Sequence, residues 1–183
     1  WPQVVTAHLL GGFATLSLLF LLTLRLSGKA AALANLPARL RSLAALGLLL
    51  VVGQIALGGW VSSNYAAVAC VDLPTCHGEW WPAMDFANGF HLTQHIGPNY
   101  LGGQLDSDAR TAIHMTHRIG ALLVTLVLLL LAWQLKRHGL ARLAGLLVLA
   151  LTVQISLGIS NVVFHLPLLV AVAHNLGGAA LLL

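Results

Sequence analysis

An all-α integral membrane fold is predicted: a four-helix transmembrane bundle joined to one helix of a second, similar bundle. Three observations predict it. Of 183 residues, 58% are hydrophobic and 8% charged, and the mean hydropathy is +0.89; an average soluble domain carries about 25% charged residues. Mostly apolar runs of about 20 residues, long enough to cross a bilayer, recur along the chain. The pattern Ala-His-x-x-Gly-Gly stands near both ends, from Ala7 to Gly12 and from Ala173 to Gly178, and duplicated architecture is common in membrane proteins.

The apolar runs are Val4 to Leu24, Leu43 to Ser62, Ile113 to Leu135, Leu143 to Phe164 and Pro167 to Leu183. If the first and last are equivalent, and the last closes a unit of four, the first closes an earlier unit. Residues 1–26 are then the last helix of an N-terminal half, 27–42 a linker, and 43–183 a C-terminal half with a long loop at 63–112. The start at Trp1, without methionine or a charged leader, and the closing Leu-Leu-Leu fit a piece of a longer protein.

In the first run, Pro2 suits the first turn of a helix, and His8 follows six residues later. Asn35-Leu36-Pro37 then marks a turn. The second run ends in Gln54-Ile-Ala-Leu-Gly58-Gly59-Trp60, echoed in the fourth by Gln154-Ile-Ser-Leu-Gly158. Trp60 and Tyr65 suit a membrane interface.

Charge sets the orientation. Arg25, Lys29, Arg39 and Arg41 follow the first run, and Lys136, Arg137 and Arg142 follow the third. All five acids, Asp72, Glu79, Asp85, Asp106 and Asp108, lie in the long loop. The positive-inside rule makes the basic connections cytoplasmic and the loop external. The pI near 9.7 is therefore a topology signal and gives no basis for nucleic-acid binding.

An imidazole in hydrocarbon persists only with a partner, a pore or a metal. Positions three and four residues on share its helical face. For His8 these are Gly11 and Gly12, for His174 Gly177 and Gly178, and for His117 Gly120 and Ala121. Small residues there serve close helix packing or leave a recess for a planar macrocycle ligated through iron. His117 lies six residues beyond Thr111 and His174 seven beyond Pro167, so both sit about 9 to 10 Å along helices of the same direction. Ligation of one haem iron by His117 and His174 is the expectation, with His8 awaiting a partner outside this sequence. His114 ranks behind His117 because His117 and Arg118 occupy its recess positions. Arg118 needs an anionic partner at that depth, and a haem propionate would serve; the alternative is a side chain reaching the interface past its own stem.

The loop holds the only cysteines, Cys70 and Cys76. A disulfide is expected on the external side; zinc held by Cys70, Cys76 and His77 is the alternative. His91 and His95 have the spacing of one helical face, which suits a metal or an interfacial helix with polar tips. His138 reads as a solvated basic-loop residue, and His165 as a cap or a lining residue near the outer turn. A loop this long is expected to carry structure of its own, in the form of a short amphipathic piece on the outer surface.

The run Thr111-Ala-Ile-His-Met-Thr-His-Arg-Ile-Gly-Ala121, the two Ala-His-x-x-Gly-Gly stretches and Gln54-Ile-x-Leu-Gly-Gly-Trp-Val-Ser-Ser-Asn64 together resemble the haem A synthase family. The resemblance implies an eight-helix protein of two similar halves, with helices four to eight supplied here. It implies oxidation of a ring methyl of haem O to the formyl group of haem A, by successive hydroxylations and loss of water. It places haem b on His117 and His174, and the substrate haem near His8. The family's catalytic acid falls outside this sequence, so no catalytic residue is named. Implied partners are the haem substrate, lipid, an electron donor, the enzyme supplying haem O and oxidase assembly factors. The implied location is a bacterial plasma membrane with the loop on the periplasmic side. A non-catalytic diheme b-type electron carrier would use the same histidines and is the alternative function.

Overall fold

A computed structural model describes residues 1–28, 36–93 and 103–183. The helices are α1 (Pro2–Leu26), α2 (Ala38–Ser63), α3 (Phe86–Gly89), α4 (Ser107–Arg137), α5 (Ala141–Val163) and α6 (Leu168–Leu182). Four of them, α1, α2, α4 and α5, are long and apolar enough to cross a bilayer, so this is a multi-pass membrane protein. α6, at 15 residues, is shorter and equally apolar.

The ends of the helices follow from local chemistry. Pro2 occupies the first turn of α1, where its missing N–H costs nothing. Asp106 caps α4 by accepting from Ala109 N at 2.9 Å. Asp108 in the first turn of α4 and Lys136 and Arg137 in its last complement the helix dipole. α4 stops before Gly139, whose φ of +81° is a left-handed conformation open to glycine at little cost. Two helices begin more than one turn before their apolar runs: α2 starts at Ala38, inside the expected linker, and α4 at Ser107. Backbone bonding continues through the interface after hydrophobicity has ended.

In the packing, α2 neighbours α4, α4 neighbours α5, α5 neighbours α6, and α6 returns to α2. These four helices close a ring in which α4 and α6 stand diagonally opposite. α1 lies outside the ring against α2. The approach is close at Gly59, where a Cβ would stand 3.1 Å from Leu9 Cδ2 and 3.2 Å from Thr6 Cγ2. A cluster of Leu40, Val51, Val124, Leu128, Leu131 and Leu151 fills the half of the ring nearer the basic connections. Trp60, Val61, Ala66 and Ile113 form a second cluster near the loop.

The loop packs down onto α4. Cys70 and Cys76 are bonded, with a Cα separation of 4.9 Å, which overturns the zinc alternative because neither thiolate is free. Cys76 and Glu79 exchange backbone hydrogen bonds of 2.9 and 3.1 Å around His77 and Gly78, whose φ values of +56° and +78° close a tight hairpin. Asp72 organises this hairpin by accepting from Thr75 Oγ1 (2.6 Å), His77 N (2.8 Å) and Gly78 N (2.9 Å). In place of the expected amphipathic piece stands α3, a single turn capped by Asp85 and seated on α4. A Cβ at Gly89 would stand 2.7 Å from Ala109 O. Trp60 is 5% exposed and donates from Nε1 to Gly89 O at 2.8 Å. It sits under the loop and not in an aromatic belt, because burial against protein satisfies its N–H where lipid would not. His91 is exposed and pairs with Thr93; His95 lies outside the described residues.

Those three hydrogen bonds favour the Asp72 carboxylate and hold it at about 2, against an ordinary 3.8. A lowered pKa stabilises the fold above the unfolded value, and the contribution is lost as pH falls through the folded one. Hydrogen exchange of the His77 and Gly78 amides is therefore expected to be protected at neutral pH, with protection fading between about pH 4 and about pH 2. Asp72→Ala should show no such transition. Protection in that variant equal to the parent's at neutral pH would contradict the role given to Asp72.

Candidate functional site

Between the two apolar clusters lies a polar layer contributed by all four ring helices. Gln54 stands one turn beyond Val51 on α2, and His117 two turns before Val124 on α4. Gln54 Nε2 is 3.0 Å from His117 Nδ1 and donates to His117 O at 2.9 Å. On the other side of the ring, Gln154 Nε2 of α5 is 3.4 Å from His174 Nε2 of α6.

The glycines complete a matched pair of sites. A Cβ at Gly58 would stand 3.3 Å from His117 Cε1, and one at Gly158 would stand 3.2 Å from His174 Cε1. A Cβ at Gly120 would overlap Gln54 Oε1, and one at Gly177 would overlap Gln154 Oε1. Glutamine followed four residues on by glycine, facing histidine followed three residues on by glycine, thus occurs twice: on α2 with α4, and on α5 with α6.

Both histidines sit at one level of the bundle. Gly120, three residues past His117, faces Gln54 and Leu57, while Gly178, four past His174, lies 3.8 Å by its Cβ direction from Ile55 Cγ1. The same turn of α2 therefore meets both.

This differs from the expected recess in one respect. Gly120 and Gly177 receive glutamine amides, because a buried imidazole needs a polar neighbour and only glycine leaves room for one. Gln54, Gly58, Gln154 and Gly158 are site residues that the histidine and glycine pattern alone did not identify. Their signal was the Gln-x-x-x-Gly echo between the second and fourth apolar runs.

Around this centre, His114 is buried and donates from Nδ1 to Ala66 O at 2.9 Å, tying the loop to α4. Arg118 donates to Thr75 O (2.9 Å), Cys70 O (3.1 Å) and Asp72 O (3.0 Å). Two of its three nitrogens thus donate to the disulfide hairpin; Nε is buried without a partner among the described residues. The loop covers this end of α4, so its carbonyls are the nearest acceptors. His8 is exposed on α1, and Gly11 and Gly12 face open space; the fold does not bring His8 to the other two histidines. His138 and His165 are exposed. A separate apolar cavity of about 590 Å³ lies between α1, α2 and the end of α6, lined in part by Phe13, Ser17, Leu21, Ile55 and Leu182.

His117 and His174 are the residues of this layer that could hold a metallated macrocycle. It offers two imidazoles on diagonal helices, and among the described residues the amide oxygens Gln54 Oε1 and Gln154 Oε1 are buried without hydrogen-bond partners. Such orphaned atoms are costly unless something engages them. Histidine is an established ligand of haem iron, and the burial and hydrogen bonding around it tune the iron it holds.

The family described as cytochrome oxidase assembly protein, COX15-CtaA, matches residues 1–183. A protein of Shewanella oneidensis named heme A synthase is 50% identical over 184 residues, covering 100% of this chain and 56% of that protein. Proteins with the same name from Methylobacterium radiotolerans and Paracoccus denitrificans are 33% and 31% identical. They cover 92% and 97% of this chain and 44% and 45% of their own length. The chain thus spans about half the length of these curated relatives. No solved structure matches.

Proposed function

Because the chain belongs to the COX15-CtaA family of cytochrome oxidase assembly proteins, we propose that it is part of a haem A synthase and that His117 and His174 hold its haem b. The observation carrying this reading is the pair of imidazoles on diagonal helices α4 and α6, each with the same glutamine and glycine neighbours. The name shared by the three relatives supports the reaction, oxidation of a ring methyl of haem O to the formyl group of haem A.

Bound haem b supplies one-electron chemistry, which belongs to the cofactor. This chain's residues bind and orient it. The four ring helices exclude water from the imidazole layer, and His117 and His174 would hold the haem from α4 and α6. His8, with Gly11 and Gly12 open beside it, belongs to the substrate haem, completed by helices of the other half of the protein. α1 outside the ring is then the last helix of that half, and residues 43–183 belong to the second half. The disulfide loop lies on the periplasmic side of a bacterial plasma membrane, and the arginines and lysines at the far ends of the helices lie in the cytoplasm. An electron donor, the enzyme that supplies haem O and oxidase assembly factors are its partners.

Haem extracted after aerobic turnover of the full-length protein with haem O, dioxygen and a reductant, then weighed by mass spectrometry, tests the reaction. A formyl product is expected. Quinol-linked reduction with the haem unchanged would instead make the protein an electron carrier.

A further inference from the structure

We propose that Gln54 and Gln154 are the positioning residues of the two imidazoles, each giving its amide oxygen to the ring N–H that a haem-ligating histidine leaves inside the bundle. The inference rests on ligation by His117 and His174 and adds what fixes their rings.

A histidine bound to iron through one nitrogen carries a proton on the other, and that N–H takes an acceptor which sets ring orientation and raises ligand basicity. In an apolar span no water supplies one. Among the described residues the glutamines are the side chains hydrogen-bonded to these rings. Their oxygens are the unused part: Gln54 Oε1 and Gln154 Oε1 are both buried without a hydrogen-bond partner among the described residues. As placed, Gln54 Nε2 donates to His117 O and faces His117 Nδ1, while Gln154 Nε2 faces Nε2 of His174; an amide N–H in either place suits a ring nitrogen with a free lone pair. Once that nitrogen carries the proton, an amide N–H opposite it is repulsive, and a half-turn of the amide brings the oxygen there instead. Oxygen and nitrogen of a glutamine amide have nearly the same shape, so the turn needs no new space. The helix carbonyl left behind keeps its own helical bond.

Packing alone does not account for the pair. A leucine would fill the space over Gly120 or Gly177 without burying an amide in hydrocarbon, yet glutamine stands in both places. Each is followed at four residues by a glycine against the ring, and each meets the glycine three residues past its histidine. Two structurally independent copies of one constellation point to a requirement of the imidazole.

The test uses the haem-loaded protein in detergent, with Gln54→Leu, Gln154→Leu, Gln54→Glu and Gln154→Glu read by haem affinity, midpoint potential and electron paramagnetic resonance g values. Each leucine variant is expected to bind haem about tenfold more weakly and to raise the potential, since losing the acceptor weakens the ligand's hold on ferric iron. Each glutamate variant keeps a stronger acceptor and is expected to retain haem with a potential below the parent's. A packing role would move leucine and glutamate variants alike. Unchanged potentials and g values in all four, alongside loss of low-spin haem in His117→Ala and His174→Ala, would overturn the glutamine role and leave ligation standing. Low-spin haem surviving in both histidine variants would overturn ligation and the glutamine role together.

Discussion

His174→Ala is expected to abolish the low-spin haem spectrum of the protein and to reduce haem retention by more than roughly tenfold, beyond the loss expected for an outer partner of a ligand. His117→Ala should do the same, while His8→Ala should leave this low-spin signal in place, because His8 faces away from the ring. The size of the effect follows from position. Each imidazole is the one histidine its helix brings to the polar layer; His114 is occupied by Ala66 O and cannot substitute without releasing the loop. Absorption and paramagnetic resonance spectra of the purified variants decide the matter. A low-spin spectrum unchanged in His174→Ala would move the ligand elsewhere.

Arg118→Leu is expected to detach the disulfide hairpin from α4. Its guanidinium reaches Cys70 O, Asp72 O and Thr75 O, three carbonyls in a segment closed by one disulfide. Bonds to a charged donor contribute about 1.5 to 3 kcal/mol each. Water reaches this half-buried site and offsets part of the loss, so a net destabilisation of about 2 to 4 kcal/mol is expected. Trp80 and Trp81, 73% and 67% exposed on the same hairpin, report the change through faster fluorescence quenching. Arg118→Lys retains the charge but offers a point donor in place of a fork, and should recover only part of the loss. Hairpin protection and quenching equal to the parent's in Arg118→Leu, with haem binding impaired instead, would return Arg118 to the role of propionate partner.

The loop explains why Arg118 reads differently in sequence and in space. In sequence it is a charge in an apolar run, and an anion is the obvious partner. The fold supplies three neutral carbonyls from 43 to 48 residues away, and nothing local to α4 announces them. Trp60 changed for the same reason: its end-of-helix position fits an interface, and its partner at Gly89, 29 residues on, is visible only after the loop folds back.

The amino-acid sequence by itself determined the helical membrane class, the apolar runs, the bonded cysteines and the histidines worth attention. Each depends on hydropathy, helical spacing or counting, and these act over a few residues. Tertiary structure alone decided that α4 and α6 stand diagonally, that Gln54 and Gln154 fill the glycine recesses beside the two imidazoles, and that Arg118 reaches three carbonyls of the loop. Those outcomes depend on contacts such as Gln54 with His117, 63 residues apart, where the partner is set by how helices pack and not by what precedes or follows it in the chain.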